Sequence, residues 1–225
     1  TNNYGNILMG PGDDIVTTNS YISGPGFIDG GEGDGDVINF NASDGLVHQF
    51  KVGKVRNFEF ANQKSGRWDY DGDYKAAGIR TMTVEGGQFL VVDSEHATFD
   101  HFVIKGGEIF ASLESKNAAP LIANTFDYQG GSLVIDAAQQ ASPVGTYTVI
   151  KSDSQSESNQ LAANSKLIYD GNVGDFTGVG KNNGIENSAI YDVFLQEGSL
   201  QLVVEQKTGD EVIDDLDCSD PSNYM

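Results

Sequence analysis

Cysteine, proline and basic side chains are scarce in this chain. Its 225 residues include one cysteine, five prolines and 13 lysines and arginines. A single cysteine cannot pair within the chain, so no intrachain disulfide supports the fold. The length is nevertheless sufficient for a hydrophobic core, because a chain of this size buries roughly 70% of its unfolded surface on folding. We therefore expect one domain that is held together by packing.

Positive charge is outweighed by 33 aspartates and glutamates, which leaves a formal net charge of −20. This charge repels phosphate backbones and anionic headgroups, so we expect neither a nucleic-acid partner nor a membrane-surface partner. Long apolar runs are also missing. The longest extends from Phe89 to Val92, far short of the roughly 20 residues of a membrane-spanning helix. We expect that this segment does not span a membrane, whereas cationic partners and divalent ions are compatible with the charge.

Helical periodicity is nearly absent from the sequence. No long stretch places apolar residues at helical spacing, and glycines interrupt most windows of that size. Short runs of β-branched and aromatic residues lie between turn formers instead, at Phe89–Val92, Leu133–Ile135, Tyr147–Ile150 and Leu200–Val204. These runs predict strands and an all-β fold.

A glycine pair recurs within a shared template: an apolar residue, a polar residue, Gly-Gly, a polar residue and an apolar run. The pairs begin at Gly86, Gly106 and Gly130, so the spacings are 106 − 86 = 20 and 130 − 106 = 24 residues. Such periods predict a solenoid in which the glycines form corners of stacked coils and Leu133 points inward. The alternative is a sandwich with Gly-Gly hairpin turns, which does not require the template to recur.

Two N-terminal stretches, residues 10–16 and 30–40, resemble the Gly/Asp repeat that binds calcium in β-rolls. The match is partial, because Met9 replaces a glycine in the first copy and Gly35 replaces an aspartate in the second. A β-roll also needs several stacked copies. We therefore expect coil corners that carry aspartates, without a cofactor, and keep calcium near Asp13 and Asp36 as the alternative.

Catalytic and metal-binding motifs are not evident. The sequence has no G-x-S-x-G elbow, no P-loop and no His-Glu-x-x-His. Its histidines are His48, His96 and His101, of which the last two lie beside Glu95 and Asp100. We interpret them as surface histidines next to acids. We therefore assign no catalytic, cofactor-binding or metal-binding residue.

The segment Asp69–Asp73 places carboxylates at alternate positions, as an EF-hand loop does. Its glycine falls at the fourth position, and Arg80 occupies the place of the bidentate glutamate, so an EF-hand is rejected. We predict a solvated acidic turn. The alternative is a patch that binds sugars or a partner through Trp68, Tyr70 and Tyr74.

Paired aspartates leave an enzymatic alternative. Some β-helices degrade polysaccharides with aspartates on one sheet face, and Asp34 with Asp36 or Asp71 with Asp73 has the necessary i, i+2 spacing. Both pairs lie in glycine-rich segments where strand alternation cannot be assumed. We therefore expect no enzyme activity.

Read in order, several stretches resemble the C-terminal part of a type V autotransporter passenger of Gram-negative bacteria. They are Gly12–Asp14, Ile28–Gly33, Asp36–Phe40, Val55–Phe60, the three Gly-Gly coils and Gly145–Lys151. The resemblance covers roughly residues 5–205. It implies a right-handed parallel β-helix with a β-rich C-terminal cap, secreted and displayed on the bacterial cell surface.

The resemblance also implies an organisation along the chain. Residues 1–125 would form β-helix coils, and residues 126–206 the last coils and an autochaperone-like cap that folds first. Residues 207–225 would form an acidic disordered tail, in which Cys218 is an exposed thiol or an intermolecular disulfide. The chain begins at Thr1 rather than at methionine, so we expect a segment of a longer protein. The family implies that this protein continues into an outer-membrane barrel.

The function that the family implies is that of a stalk and folding module of an adhesin. The expected partner is a host-cell protein, a matrix protein or a glycan, or a second copy in self-association. The alternative is a pure secretion module whose passenger has its activity upstream. A polysaccharide-degrading enzyme is the third hypothesis.

Overall fold

The structure is a computed structural model that describes eight segments of the chain: residues 5–91, 96–112, 119–136, 145–153, 165–169, 172–175, 191–196 and 200–206. About 60% of the described residues are in strands, and none of them is in an α-helix. The expectation of an all-β fold is therefore confirmed.

In chain order the strands are β1 Ile7–Leu8, β2 Ile15–Thr18, β3 Ile28–Asp29, β4 Val37–Asn41, β5 Val47–Lys51, β6 Val55–Arg56, β7 Phe60–Ser65, β8 Arg67–Asp73, β9 Thr81–Val84, β10 Gln88–Val91, β11 Ala97–Ile104, β12 Glu108–Ser112, β13 Leu121–Tyr128, β14 Ser132–Asp136, β15 Gly145–Ser152, β16 Ser165–Tyr169, β17 Asn172–Asp175, β18 Tyr191–Gln196 and β19 Leu200–Gln206. Within the described segments, one 3-10 turn, Val52–Lys54, precedes β6.

Three parallel ladders run along the molecule. The first has the order β1-β3-β6, the second β2-β4-β7-β9-β11-β13-β15, and the third β5-β8-β10-β12-β14-β16. Neighbours in a ladder lie one coil apart in sequence. The chain therefore winds as a β-solenoid of about five turns, which matches the predicted parallel β-helix.

The Gly-Gly pairs form the predicted coil corners. Gly87, Gly107 and Gly131 have positive φ angles of 76°, 75° and 96°. A Cβ on Gly107 would lie 2.6 Å from the carbonyl oxygen of Gly87, and a Cβ on Gly131 would lie 2.8 Å from that of Gly107. The corners thus stack directly on one another, and only glycine satisfies both the backbone angle and the close approach.

Inward side chains of the strands fill the solenoid. Phe89, Ile109 and Leu133 are register partners in β10, β12 and β14, and all three are fully buried, which confirms the inward orientation predicted for Leu133. Rings stack along the interior in what we call the aromatic column. Its members are Phe40, Phe50, Trp68, Tyr70, Tyr74, Phe89, Phe99, Phe102 and Phe126.

The prediction of a solvated turn at Asp69–Asp73 is wrong. These residues belong to strand β8, and Trp68, Tyr70 and Tyr74 are buried in the aromatic column rather than exposed as a binding patch. The physical reason is the period of two in a strand, which sends aromatic rings inward and the intervening aspartates outward. The alternate carboxylates therefore reflect strand alternation, not cation ligation.

The pairing changes to antiparallel at the C-terminal end. Strand β17 pairs antiparallel with β16, while β19 pairs antiparallel with both β15 and β18. Strands β16 and β17 fall between residues 152 and 190, where the sequence shows few strand signals. The division at residues 125 and 206 stays a prediction. The tail from 207 to 225, with Cys218, lies outside the described residues.

Candidate functional site

The start of the second ladder carries a stack of acidic residues. Parallel pairing aligns Ile15 of β2 with Val37 of β4, and Val37 with Phe60 of β7. The residues just before these partners are Asp14, Asp36 and Glu59, so three carboxylates follow one another along the solenoid axis. We call these three residues the acidic corner.

Hydrogen bonds from main-chain N–H groups to side-chain carboxylates connect the acidic corner from coil to coil. The Asp14 N–H donates to Asp36 Oδ1 at 2.7 Å, and the Asp36 N–H donates to Glu59 Oε2 at 3.0 Å. Asp36 and Glu59 therefore each reach back to the preceding coil and accept from its backbone. This arrangement ties the coils together where the chain enters the strands.

Two carboxylate oxygens of the corner remain without a partner among the described residues. They are Asp36 Oδ2 and Asp14 Oδ2, both buried. Asp36 is 0% exposed and Glu59 is 7% exposed. The ion pairs of the described residues join Asp44 to His48, Glu85 to Lys64 and Asp100 to Lys75, so none of them neutralises the corner. Buried carboxylates without a cation are costly, since their charge loses its hydration.

Glycines bring the loop of the first coil against that of the second. A Cβ on Gly33 would lie 2.6 Å from Gly12 O and 3.0 Å from Asp36 Oδ2, so both oxygens face the same point. A Cβ on Gly35 would lie 2.7 Å from the carboxylate carbon of Asp13. The β-roll-like glycine pattern thus has a packing cause. Among the described residues, no three His, Cys, Asp or Glu side chains are placed to hold a metal by themselves.

The histidines lie apart from one another. His96 and His101 are exposed, as expected, and His101 Nδ1 contacts the Thr125 hydroxyl, whereas Glu95 lies outside the described residues. Asp100 accepts from Lys75 Nζ at 2.6 Å and from Asn124 Nδ2 at 2.9 Å. His101 and Asp100 therefore take part in separate surface contacts.

The expectation of a surface histidine is wrong for His48. Its ring is 5% exposed and packs 4.9 Å from the Trp68 ring. The Tyr21 N–H donates to Nδ1, and Nε2 lies 2.9 Å from Asp44 Oδ1, so Nε2 is the donor to that carboxylate. This hydrogen bond and the Leu46 N–H lower the pKa of Asp44.

In each aspartate pair of the enzymatic alternative, the two members differ in burial. Asp34 is exposed in the loop before β4, whereas Asp36 is buried. Asp71 is half-buried in β8, and Asp73 is exposed at its end. Gly72 between them has a φ of 123°, so the regular alternation of the strand is interrupted.

A feature that the sequence analysis did not find is the apolar rim at the N-terminal end. We define this rim as Ile7, Leu8, Ile15 and Val47, which are 46%, 69%, 68% and 47% exposed. They belong to β1, β2 and β5, the first strands of the three ladders. The rim depends on which strands start a ladder, and the local sequence of a strand carries no signal for that position.

A scan against protein-family models and searches of curated proteins and of solved structures find no match for this chain. Among the described residues, the structure contains no helix with the length and hydrophobicity needed to cross a membrane. The class of protein is therefore defined by the fold alone, as a parallel β-solenoid.

Proposed function

We propose that this chain is the β-helical stalk and folding module of a bacterial cell-surface passenger of the adhesin type. The observation that carries the proposal is the difference between the two ends of the coil stack. Antiparallel strands β17 and β19 pair with the last parallel strands, β16 and β15. At the other end, the apolar rim lies on strands that begin the ladders.

This difference favours a direction of folding. In a solenoid each coil contacts mainly its neighbours, so stability accumulates as coils are added to an existing edge. At the C-terminal end, the antiparallel strands β19 and β17 already pair with the outer sides of β15 and β16. The next coil toward the N-terminus then finds a template of parallel strands, as a module that draws a passenger outward requires.

The adhesive part of the proposal concerns the flanks of the stalk. With a net charge of −20, the surface attracts cationic groups and disfavours anionic ones. We propose a host-cell protein, a matrix protein or a glycan as the partner, or self-association of copies. The proposal includes no catalytic step.

The proposal is tested by grafting. The chain is placed below an unrelated β-helical passenger that lacks its own folding module, and display on the bacterial surface is quantified with an antibody. Restored display supports the folding module, whereas absent display by a stably expressed fusion contradicts it. A matched fusion without residues 191–206 removes β18 and β19 and should lose display.

A second candidate is a folding module without any adhesive role, which the presence of antiparallel strands at one end also favours. The same displayed fusion distinguishes the two candidates. Cells that carry it are assayed for binding to host cells, immobilised matrix proteins and glycans, and for aggregation with and without calcium. Restored display without binding or aggregation assigns the chain to the pure module.

A further inference from the structure

We propose that the acidic corner binds a single Ca²⁺ ion between the first two coils, through Asp36, Asp14 and the carbonyl oxygen of Gly12. This proposal goes beyond the stalk function and does not depend on it. It starts from Asp36, which is fully buried and uses only one of its two carboxylate oxygens in a hydrogen bond. The other oxygen, Oδ2, is buried without a partner in the described part of the chain.

The position of Asp36 Oδ2 indicates where the ion would bind. This oxygen and Gly12 O both lie close to Gly33, 3.0 and 2.6 Å from the position of a Cβ built there, so they are at most about 5.6 Å apart and an ion that both ligate would lie between them, beside the glycine. Asp14 contributes a second buried and unpartnered oxygen, and its N–H is already held by Asp36 at 2.7 Å. The Asp36 carboxylate is thus fixed beside the backbone of Asp14 in the preceding coil.

The charge of the corner favours a cation. Three carboxylates follow one another, and two of them, Asp36 and Glu59, are more than nine-tenths buried. Neighbouring like charges repel, and each loses hydration on burial. None of the ion pairs in the described segments involves the corner. A bound divalent cation removes both costs.

The donor set selects calcium over other ions. All donors in reach are oxygens of carboxylates and of the main chain, which are ligands for hard cations and not for zinc or copper. Calcium accepts irregular geometry with six to eight oxygens, several of them from water, whereas magnesium requires a near-ideal octahedron. An irregular loop with only two carboxylates and a carbonyl therefore fits Ca²⁺ better than Mg²⁺.

The test measures Ca²⁺ binding by isothermal titration calorimetry on the purified chain after chelation, in about 0.15 M salt to screen diffuse binding. We expect one saturable site and a rise in Tm of roughly 5–10 °C at saturating Ca²⁺. Asp36→Asn keeps the acceptor for the Asp14 N–H but removes the charge, and should weaken binding at least roughly ten-fold. Asp34→Asn removes an exposed carboxylate of the same loop and should leave the affinity within about two-fold.

Three outcomes would overturn the proposal. The first is an absence of saturable Ca²⁺ binding, and the second is equal weakening by Asp34→Asn, which would indicate a diffuse ionic atmosphere. The third is a chelated Asp36→Asn protein that is more stable than the unsubstituted protein while Ca²⁺ changes neither Tm, which would show that the buried Asp36 charge destabilises the fold and takes no ion. If Asp36→Asn does not fold, Asp14→Asn gives the same readout at a half-buried position: unchanged Ca²⁺ affinity there contradicts the proposed ligand set.

Discussion

At the scale of single residues, the two tyrosines of the aromatic column differ in what their hydroxyls contact. The Tyr74 hydroxyl donates to the carbonyl oxygen of Phe50 and accepts the Asp71 N–H at 2.9 Å. The Tyr70 hydroxyl is buried without a partner among the described residues. Burial raises the pKa of both phenols, so both stay neutral over the accessible pH range. The same residue type therefore has opposite energetic consequences at two neighbouring positions.

This contrast predicts the result of a matched pair of substitutions. Tyr74→Phe leaves a buried acceptor and a buried donor unpaired and should lower the free energy of unfolding by about 1–3 kcal/mol. Tyr70→Phe removes an unpartnered hydroxyl and should be neutral or slightly stabilising. Urea unfolding followed by circular dichroism measures both values. A larger loss for Tyr70→Phe would show that its hydroxyl has a partner in solution.

Asp44 predicts a pH dependence of stability at the acid end. The hydrogen bond from His48 holds the pKa of its carboxyl below the ordinary value of 3.8. A carboxyl with a lowered folded-state pKa binds protons more readily in the unfolded chain, so its contribution is complete above pH 3.8 and declines as the pH falls through the folded-state pKa. In Asp44→Asn, the free energy of unfolding should therefore decrease less steeply as the pH falls below 3.8. Asp34→Asn, which changes an exposed carboxylate, serves as the control, and equal flattening by both variants would contradict the assignment.

At the scale of strands and corners, the local sequence predicts the features that recur in every coil. It does not predict the features that arise from pairing between neighbouring coils. The Gly-Gly template is visible because close packing demands glycine at every corner, and the inward position of Leu133 follows from the corner before it. The local sequence of β8 does not distinguish a loop from a strand, since alternating aspartates and tyrosines fit a cation loop as well as a strand with one polar face. The acidic corner was not predicted, because Asp14, Asp36 and Glu59 meet only through pairing between coils of unequal length.

The stacked corners predict a severe effect for alanine at Gly107. Gly107 and Gly45 have nearly equal φ angles of 75° and 74°, but only at Gly107 would a Cβ meet another corner, 2.6 Å from Gly87 O. Gly45→Ala should cost about 1–2 kcal/mol from the backbone angle alone. Gly107→Ala should cost about 1–3 kcal/mol more, because the coils must separate to admit the methyl group. Thermal and urea unfolding compare the two variants, and equal losses would contradict the stacking of corners.

The burial of Leu133 in strand β14 predicts how much an inward side chain contributes to the free energy of unfolding. Leu133 is fully buried, so Leu133→Ala should lower the free energy of unfolding by about 2–5 kcal/mol through lost contacts and a residual cavity. The neighbouring Ser132→Ala lies on the other face of the strand and should change stability by less than about 0.5 kcal/mol. Denaturant unfolding measures both. A cost near zero for Leu133→Ala would contradict the register of this strand.

At the scale of the whole molecule, the coils are not equal in stability. Strands β9, β11 and β13 have a neighbour on each side within the second ladder, whereas β2 pairs only with β4 among the described residues. Ile15 of β2 is also 68% exposed, which weakens burial at that end. The parallel fold follows from the repeats in the sequence. The arrangement of the ends does not, because it depends on pairing between distant segments such as β15 and β19.

This gradient predicts the order of hydrogen exchange. Amides of β2 should exchange faster than those of β11 by roughly ten-fold or more, because the first coil opens without disturbing the rest. Hydrogen exchange followed by mass spectrometry of peptic fragments measures the gradient, with calcium chelated so that a bound ion does not alter it. Uniform protection along the chain would indicate that all coils open in one cooperative step.

The winding of the chain also has a mechanical consequence. Each coil of 20 or 24 residues, as measured between successive Gly-Gly pairs, advances the stack by only about 4.8 Å, the spacing of neighbouring strands. The same residues, pulled straight, extend over about 70 to 80 Å. The hydrogen bonds of the ladders lie along the axis, so a tensile load opens them one coil at a time. A solenoid built in this way lengthens more than ten-fold at each coil that opens, and it dissipates mechanical energy because the coils open in turn.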